Sequence, residues 1–420
     1  MTNPQTETLF GLPKEVQFCM RCVISNQRPN SAIEYKHKSS SKKATIRFNS
    51  EGVCDACLVS ERKNSTIDWE SREAALIELC DRYRRNDGRY DCVVPGSGGK
   101  DSFYAAHVLK YKYGMNPLTV TWAPNVYTDV GQRNFTSWIQ AGFDNELHTP
   151  SGLTHRILAR VSVEYLFHPF QAFMMGQKAL APKIAAKYDI PLVFYGENEA
   201  EYGNPIEDSS SAERDHAFFT DSNPDDIFLG GASLSQLRDD FGITKKDLNP
   251  YFPAAVDTAL SKKLEVHYLG YYLKWHPQSA YYYAVEHGNF EAADERSPGT
   301  YSKYNSLDDK IDDFHYFTTY VKFGIGRATY DASQEIRSGD ITREEGVALV
   351  RKFDGEYPLR YEKTMFDYLS LDHPSMKISP SALGQLKMDR EYFGDLADKF
   401  RSPHLWEKSG TGFKLIHSLS

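Results

Sequence analysis

The stretch that decides the fold is Pro95-Gly96-Ser97-Gly98-Gly99-Lys100-Asp101-Ser102. It follows a short apolar segment at 90–95 and precedes a helix-periodic segment at 102–113, a pattern that predicts a strand, a glycine turn and a helix. Glycine lets the backbone approach an anion closely, and the first N–H groups of a helix carry partial positive charge. The stretch therefore predicts a loop that binds pyrophosphate, in which Lys100 supplies a full positive charge.

This loop differs from the Walker loop, in which a glycine stands five residues before the final Gly-Lys and a Ser or Thr follows the lysine. Val94 occupies that glycine position here, and Asp101 follows Lys100. A carboxylate repels a bare phosphate, but it can hold the magnesium ion that accompanies pyrophosphate. We therefore expect ATP and Mg²⁺ as ligands, with Lys100 and Asp101 as catalytic residues and Asp101 on the magnesium. The expected ATP contacts within the loop are Gly96, Ser97, Gly98, Gly99, Lys100 and Ser102.

Strand and helix patterns alternate on both sides of this loop. Strands are predicted at 90–95, 118–123, 145–148 and 191–195, and helices at 102–113, 129–141, 153–167 and 172–188. Such alternation indicates an α/β fold with a doubly wound parallel sheet. After about residue 240 the pattern is mostly helical, with helices predicted at 342–352, 379–386 and 391–400. We divide the chain into an N-terminal module (1–64), an ATP-binding domain (65–260) and a helical region (261–420) that covers the substrate.

Four of the six cysteines form two Cys-x-x-Cys pairs, Cys19/Cys22 and Cys54/Cys57. Two such knuckles close a tetrahedron around zinc, and four thiolates leave no open coordination position. The pattern therefore predicts a structural Zn²⁺ site, with a redox role for the pairs as the alternative. Cys80 and Cys92 stand apart and are predicted to be core residues.

The segment Gly196-Glu197-Asn198-Glu199-Ala200-Glu201-Tyr202-Gly203 follows a predicted strand. Ligands of parallel sheets bind beyond the carboxyl ends of the strands. Glu197 and Glu199 are therefore predicted to be catalytic, by binding metal or substrate or as a general base. The alternative is an exposed acidic loop.

Three further residues are predicted to contact ATP or pyrophosphate. Trp122 ends the second strand, where it either packs beside the adenine or belongs to the core. Lys322 and Arg327 flank two glycines, a pattern typical of phosphate binding but weak alone. Two charged runs are instead predicted to be solvated: the acidic residues from Asp308 to Asp313, and the basic stretch from Lys36 to Arg47.

Bulk properties exclude several classes of protein. The net charge of −8 argues against a broad nucleic-acid surface. The chain has no run of ~18 apolar residues, the length that a membrane span needs. The start, Met1 to Phe10, is polar and has no signal-peptide core. These observations predict a cytoplasmic protein with no membrane span and no nucleic-acid partner.

Beyond these patterns, the chain resembles the N-acetyl sugar amidotransferase family of the PP-loop ATP pyrophosphatases, which acts in surface-polysaccharide and nonulosonic-acid pathways. The resemblance rests on long strings at 19–23, 52–57, 90–102, 120–124, 168–171, 194–205 and 322–328. The segment around 31–47 and the C-terminal tail look longer than the family pattern.

The resemblance implies conversion of an N-acetyl group on a nucleotide-linked sugar to an acetamidino group. ATP would adenylate the amide oxygen, and a partner glutaminase with a cyclase-like subunit would supply ammonia. Two other functions remain open at this stage: a tRNA-modifying PP-loop thiolase or ligase with zinc knuckles, and a non-catalytic nucleotide-binding scaffold.

Overall fold

The computed structural model describes residues 7–196, 199–205, 207, 210–221, 223, 226–255, 263–410 and 412–419. Within them the strands are β1 (Cys92–Pro95), β2 (Pro117–Trp122), β3 (Asn145–His148), β4 (Leu192–Tyr195), β5 (Thr220–Asp221), β6 (Phe228–Leu229), β7 (Ala232–Ser233), β8 (Ala254–Ala255), β9 (Glu265–Tyr268), β10 (Trp406–Ser409) and β11 (Gly412–Leu415).

The helices alternate with the first strands and then dominate the chain. They are α1 (Asp55–Ser65), α2 (Trp69–Tyr83), α3 (Lys100–Tyr111), α4 (Asp129–Gln140), α5 (Gly152–Leu166), α6 (Gln171–Lys187), α7 (Leu234–Phe241), α8 (Lys245–Leu248), α9 (Leu269–Tyr272), α10 (Pro277–Gly288), α11 (Asp312–Phe323), α12 (Arg327–Ser338), α13 (Arg343–Phe353), α14 (Glu362–Leu369) and α15 (Arg390–Phe400). Short 3-10 turns occur at Glu34–Lys36, Glu199–Tyr202, His216–Phe218, Asn249–Tyr251 and Leu359–Tyr361.

The central sheet has five parallel strands in the order β3-β2-β1-β4-β9. Val93 of β1 pairs with Leu118 of β2 on one side and with Val193 of β4 on the other. The chain therefore leaves β1 in one direction and later returns to its other side. In such sheets ligands bind at this reversal, outside the carboxyl ends of the strands. The predicted doubly wound parallel sheet is confirmed.

Alternating side chains of the strands bury both faces of the sheet. Val93 and Val193 belong to a hydrophobic cluster with α5 and α6, whereas Cys92, Val94 and Phe194 belong to a second cluster with α2, α3 and α10. Because helices cover both faces of the sheet, the sequences of the strands are continuous apolar runs.

The C-terminal region packs against α5 through a buried arginine. The Arg160 guanidinium forms an ion pair with Glu164 at 2.8 Å and donates to the carbonyl oxygens of Leu369, Gln385 and Leu386. These bonds satisfy backbone groups that no helix or strand pairs. They fix the chain after α14 against the ATP-binding domain.

Three features of the C-terminal half differ from the sequence prediction. Strand β9 joins the sheet, so the sheet continues past the predicted boundary at residue 260. The predicted helix at 379–386 is a run of turns and bends, and β10 and β11 form an antiparallel hairpin where no strand was predicted. The predicted helix at 342–352 is present as α13, and a capping box begins it: Thr342 Oγ1 accepts from the N–H of Glu345, and Glu345 Oε2 accepts from the N–H of Thr342.

No helix in the described residues combines the length and the apolar character that a bilayer crossing requires.

Gly176 of α6 lies under the Trp122 indole, and this contact yields a prediction. A Cβ at Gly176 would stand 2.2 Å from Trp122 Cζ2. Gly176→Ala should therefore lower the free energy of unfolding by about 1–3 kcal/mol through overpacking, measured by urea denaturation, and should change the tryptophan fluorescence.

Gly394→Ala is the matched control, because Gly394 lies in α15 and a Cβ there meets no atom within 4 Å. It should raise the free energy of unfolding by about 0.5–1 kcal/mol, the helix-propensity difference between the two residues. Equal effects of the two substitutions would contradict the packing of Trp122 against α6.

Candidate active site

The glycine loop lies between β1 and α3, at the point where the strand order reverses. The backbone of Gly96 is held by β2, because its N–H donates to the Val120 carbonyl at 2.9 Å and its carbonyl accepts from Thr121 Oγ1 at 2.7 Å. Gly98 has φ +87°, and a Cβ there would stand 2.7 Å from the Asn134 carbonyl oxygen of α4. The loop therefore requires glycine at this position for both conformation and space.

The N-terminus of α3 lies at the end of this loop and offers N–H groups to a ligand. Gly99 is the N-cap residue of α3, and Lys100 and Asp101 form its first turn. No side chain caps the helix, so its first N–H groups stay available to an anion.

Lys100 and Asp101 are held together beside an indole ring. Lys100 Nζ lies 2.5 Å from Asp101 Oδ2, and Trp275 Nε1 donates to Asp101 Oδ1 at 3.2 Å. Lys100 is buried, and its ammonium group faces this carboxylate. Trp275 lies in an aromatic-rich stretch at 267–287.

The acidic segment after β4 contributes Glu199 to the same place. Glu199 Oε1 forms an ion pair of 2.5 Å with the buried Arg214, and its Oε2 accepts from Asn204 Nδ2 at 3.4 Å. The Arg214 guanidinium therefore balances the charge of the Glu199 carboxylate. Glu197, the other predicted catalytic acid, lies outside the described residues.

A cavity of about 550 Å³ joins these elements. Its lining includes Ser97 to Asp101 of the glycine loop, Glu199, and residues of the N-terminal module and of the C-terminal helices α11 and α12. A volume of this size suits a drug-sized or nucleotide-sized ligand. The cavity is thus built by three parts of the chain that the sequence analysis separated.

Of the remaining predicted ATP contacts, two line the cavity and one does not. Lys322 is buried at the end of α11, and Arg327 forms an ion pair with Asp331 at 3.0 Å; both line the cavity. Trp122 is buried on the α6 side of the sheet, where its ring packs on His148 and Tyr251. The structure thus assigns Trp122 to the core, the second of the two roles left open.

Four basic residues that the sequence analysis assigned to no site also line the cavity. They are Arg28, Lys43, His168 and His315. Lys43 lies in the basic stretch predicted to be a solvated loop, and that prediction is wrong for this residue. His168 belongs to the segment 168–171, one of those on which the family resemblance rests. That segment was the indication in the sequence that His168 has a role.

The aspartates before α11 also differ from their prediction as a solvated helix start. Asp309 and Asp313 are buried. The Asp309 carboxylate accepts from the backbone N–H groups of Asn125, Val126 and Ile311, and Asp313 forms an ion pair with Arg360 at 2.9 Å. Asp309 thus ties the C-terminal region to the loop after β2, and Asp313, in the first turn of α11, ties that helix to the turn before α14.

The four paired cysteines converge into a single buried cluster. Their Sγ atoms all lie within 4.8 Å of one another, and the Cys19–Cys57 and Cys22–Cys54 Sγ distances are both 3.8 Å. A tetrahedral ion with metal–sulfur bonds of about 2.3 Å has sulfur–sulfur edges of about 3.8 Å. The geometry fits one metal ion held by four thiolates, as the spacing predicted.

The cysteine cluster packs against the walls of the cavity. Ile325 and Ile336, which flank and end α12, lie in its hydrophobic shell, and Ser60 of α1 donates to the Arg337 carbonyl at 2.9 Å. Lys63, also in α1, forms a buried ion pair with Glu201 at 2.9 Å and donates to the Trp275 carbonyl. The cysteine cluster and α1 therefore support the positions of α12, Glu201 and Trp275.

Comparison with known proteins places the C-terminal part of the chain in a family. Residues 298–420 match the model of the C-terminal domain of WbpG-like LPS biosynthesis proteins. An uncharacterized protein of Methanocaldococcus jannaschii is 32% identical over 84 residues, which are 20% of this chain and 29% of the length of that relative.

Two solved structures have some similarity to this chain. NMN synthetase from Francisella tularensis has a TM-score of 0.26 at 12% identity, over 65% of this chain and 94% of that one. The U34-tRNA thiolase NcsA from Methanococcus maripaludis, solved with its 4Fe–4S cluster, has a TM-score of 0.31 at 12% identity, over 94% of this chain and 100% of that one. At such low scores, the fold assignment rests on the strand order and the glycine loop.

The family match thus covers the C-terminal region, residues 298–420. The glycine loop at the reversal of the sheet lies outside the matched residues.

Proposed function

We propose that this protein is an AMP-forming, ATP-dependent amidotransferase. It converts the N-acetyl group of a nucleotide-linked sugar to an acetamidino group in surface-polysaccharide biosynthesis. The observation that carries the proposal is a shared cavity: the glycine loop with Lys100 and residues of the WbpG-like region at 298–420 line the same cavity. The loop supports the activation chemistry, and the domain supports the class of substrate.

The chemistry needs activation because an amide carbonyl is a poor electrophile. The carbonyl oxygen of the N-acetyl group attacks the α-phosphorus of ATP, the bond between the α-phosphorus and its bridging oxygen breaks, and pyrophosphate leaves. Ammonia then adds to the carbon of the resulting O-adenylated imidate. The C–O bond breaks, AMP leaves with its electron pair, and one proton is lost to give the amidine.

The chain's own groups serve the first step by stabilising charge on the leaving pyrophosphate. Lys100 and the free N–H groups at the start of α3 are preorganised donors that face the cavity. Such donors act most strongly where charge develops in the transition state. The cavity walls limit water, which would otherwise hydrolyse the imidate back to the amide.

Two metal ions are part of the proposal. Asp101 and Glu199 offer carboxylate oxygens, which Mg²⁺ prefers. Each now faces a cation, Lys100 or Arg214, so a magnesium ion would replace one of these contacts and neutralise phosphate charge. The cysteine cluster would hold Zn²⁺ in a purely structural role, since its four thiolates complete the coordination.

Ammonia would come from a partner glutaminase, with a cyclase-like subunit carrying it to this chain. A direct test of the proposal uses the isolated protein with ATP, Mg²⁺, ammonium chloride and an N-acetylated nucleotide sugar. We expect AMP and a product lighter by one mass unit, because oxygen is exchanged for NH. AMP formation that does not depend on the nucleotide sugar, or a sugar of unchanged mass, would contradict the proposal.

A further inference from the structure

The cavity contains a second group of basic residues, which we call the inner cation cluster: Lys43, His168, His315 and Lys322. They come from three separate segments. Lys43 lies in the N-terminal module, His168 in the turn between α5 and α6, and the other two in α11. His315 and Lys322 are seven residues apart, which places them on one face of that helix.

Within the residues that the structure describes, the two lysines of the inner cation cluster have no carboxylate partner. Lys322 is buried, and its Nζ donates to the Leu166 carbonyl at 2.9 Å. Neither Lys322 nor Lys43 forms an ion pair within the described part of the chain. A buried ammonium group without a counter-charge is costly. A site of this kind is typical of a protein that binds an anion there.

The two histidines present unused hydrogen-bonding atoms beside these lysines. Their rings lie 4.7 Å apart between centroids, and the buried Nδ1 atoms of both rings lack a hydrogen-bond partner. A buried polar atom without a partner needs an explanation, and a bound ligand with phosphate oxygens supplies one.

The electrostatics of the cluster agree with this reading. Burial and repulsion from Lys43 lower the pKa of Lys322 well below its usual value, and Glu34 opposes that shift. Burial, with Lys322, Arg327 and Lys43, lowers the pKa of His315 to about 3. Burial is the main cause of both shifts, which favour the uncharged forms of these side chains, and a bound anion would oppose them.

The inner cation cluster comes from segments of the chain other than the glycine loop. The charges that act on Lys322 come from Lys43 and Glu34, whereas Lys100 of the loop is already paired with Asp101. Arg28 adds another uncompensated cation to the cavity: it is buried, and its Nε atom has no hydrogen-bond partner.

We propose that the inner cation cluster binds the phosphate groups of the sugar's nucleoside carrier, while the glycine loop binds those of ATP. The inference rests on the proposed function for the identity of the second substrate. It assigns the two sets of phosphates to two different groups of residues in one cavity. The N-acetyl group would then lie between them, next to the α-phosphorus of ATP.

To test this proposal, the ATP site at the glycine loop is first saturated with Mg²⁺ and α,β-methylene-ATP, using the whole protein. UDP, GDP, dTDP and CMP are then titrated separately by calorimetry. We expect at least one of them to bind in addition to the ATP analogue. If none binds, or if each simply displaces the analogue, the second site does not exist and the proposal is overturned.

The cluster itself is tested with Lys322→Met and Lys43→Met. Each should raise the dissociation constant of the bound nucleotide by about tenfold or more, because a desolvated charge contact is lost. The dissociation constant of the ATP analogue should stay unchanged. Lys43 is only partly buried, so its variant remains informative if the Lys322 variant folds poorly. Weaker binding of the ATP analogue alone would assign the cluster to ATP and overturn the proposal.

Lys183→Met is the matched control. Lys183 is a partly buried lysine of α6 whose Nζ also donates only to backbone carbonyls, those of Asn249 and Pro250, and it does not line the cavity. It should leave both dissociation constants unchanged. Nucleotide binding without any turnover of sugar would support this site while refuting the proposed function. The experiment therefore distinguishes failure of the second site from failure of the proposed function.

Discussion

Lys100→Ala should reduce AMP formation by about 10²–10³-fold or more while the protein stays folded. The lysine supplies the full positive charge of the glycine loop and faces the cavity, and removing one preorganised donor at a developing negative charge has an effect of this size. The rate of AMP release with saturating sugar and ammonium chloride measures it, and circular dichroism confirms the fold.

Lys112→Ala is the matched control for this variant. Lys112 follows the same helix, and its exposed ion pair with Glu73 lies away from the cavity. Exposed pairs of this kind contribute about 0–1 kcal/mol, so both activity and stability should stay close to those of the parent protein. AMP release at the parent rate in Lys100→Ala would refute the assignment of the loop.

Cys54→Ser should abolish stoichiometric zinc binding and destabilise the protein strongly. Cys54 Sγ lies in the cluster of four thiolates, and structural zinc sites contribute about 10–16 kcal/mol of apparent binding free energy in isolated peptides. That range is comparable to the whole stability of a typical domain. Elemental analysis of the purified protein and its thermal unfolding midpoint measure the effect.

Cys80→Ala separates loss of metal from loss of packing. Cys80 is also buried, but it lies on α2 in a hydrophobic cluster apart from the four thiolates. This variant should be less stable and yet retain its full zinc content. Full zinc content in Cys54→Ser would exclude the four-cysteine site, and iron in place of zinc would correct the identity of the metal.

The first half of the fold was predictable because local signals agree there. Strand β3 has the predicted bounds, 145–148, and α4 differs from its prediction by a single residue. Turn glycines and apolar runs separate these elements in the sequence. Strand β9 was missed because Glu265 and His267 interrupt its apolar run, and both are accommodated through their mutual contact at 3.0 Å.

The site was predictable only where its residues are neighbours in sequence. The glycine loop and each Cys-x-x-Cys pair are local motifs, and the structure gives them the predicted geometry. His168 and His315 are distant in sequence, and only the packing of α11 against the turn after α5 brings their rings together. Single charges such as Lys43 gave no local indication, because burial in a cavity is a property of the tertiary fold.

The central claim is that this chain uses ATP to adenylate the N-acetyl group of a nucleotide sugar. Exchange of radiolabelled pyrophosphate into ATP tests it most directly, since it reports the adenylation step without ammonia or any partner subunit. We predict exchange that requires an N-acetylated nucleotide sugar and disappears in Lys100→Ala. Exchange that requires tRNA instead, or no exchange with any N-acetylated nucleotide sugar, would contradict the account.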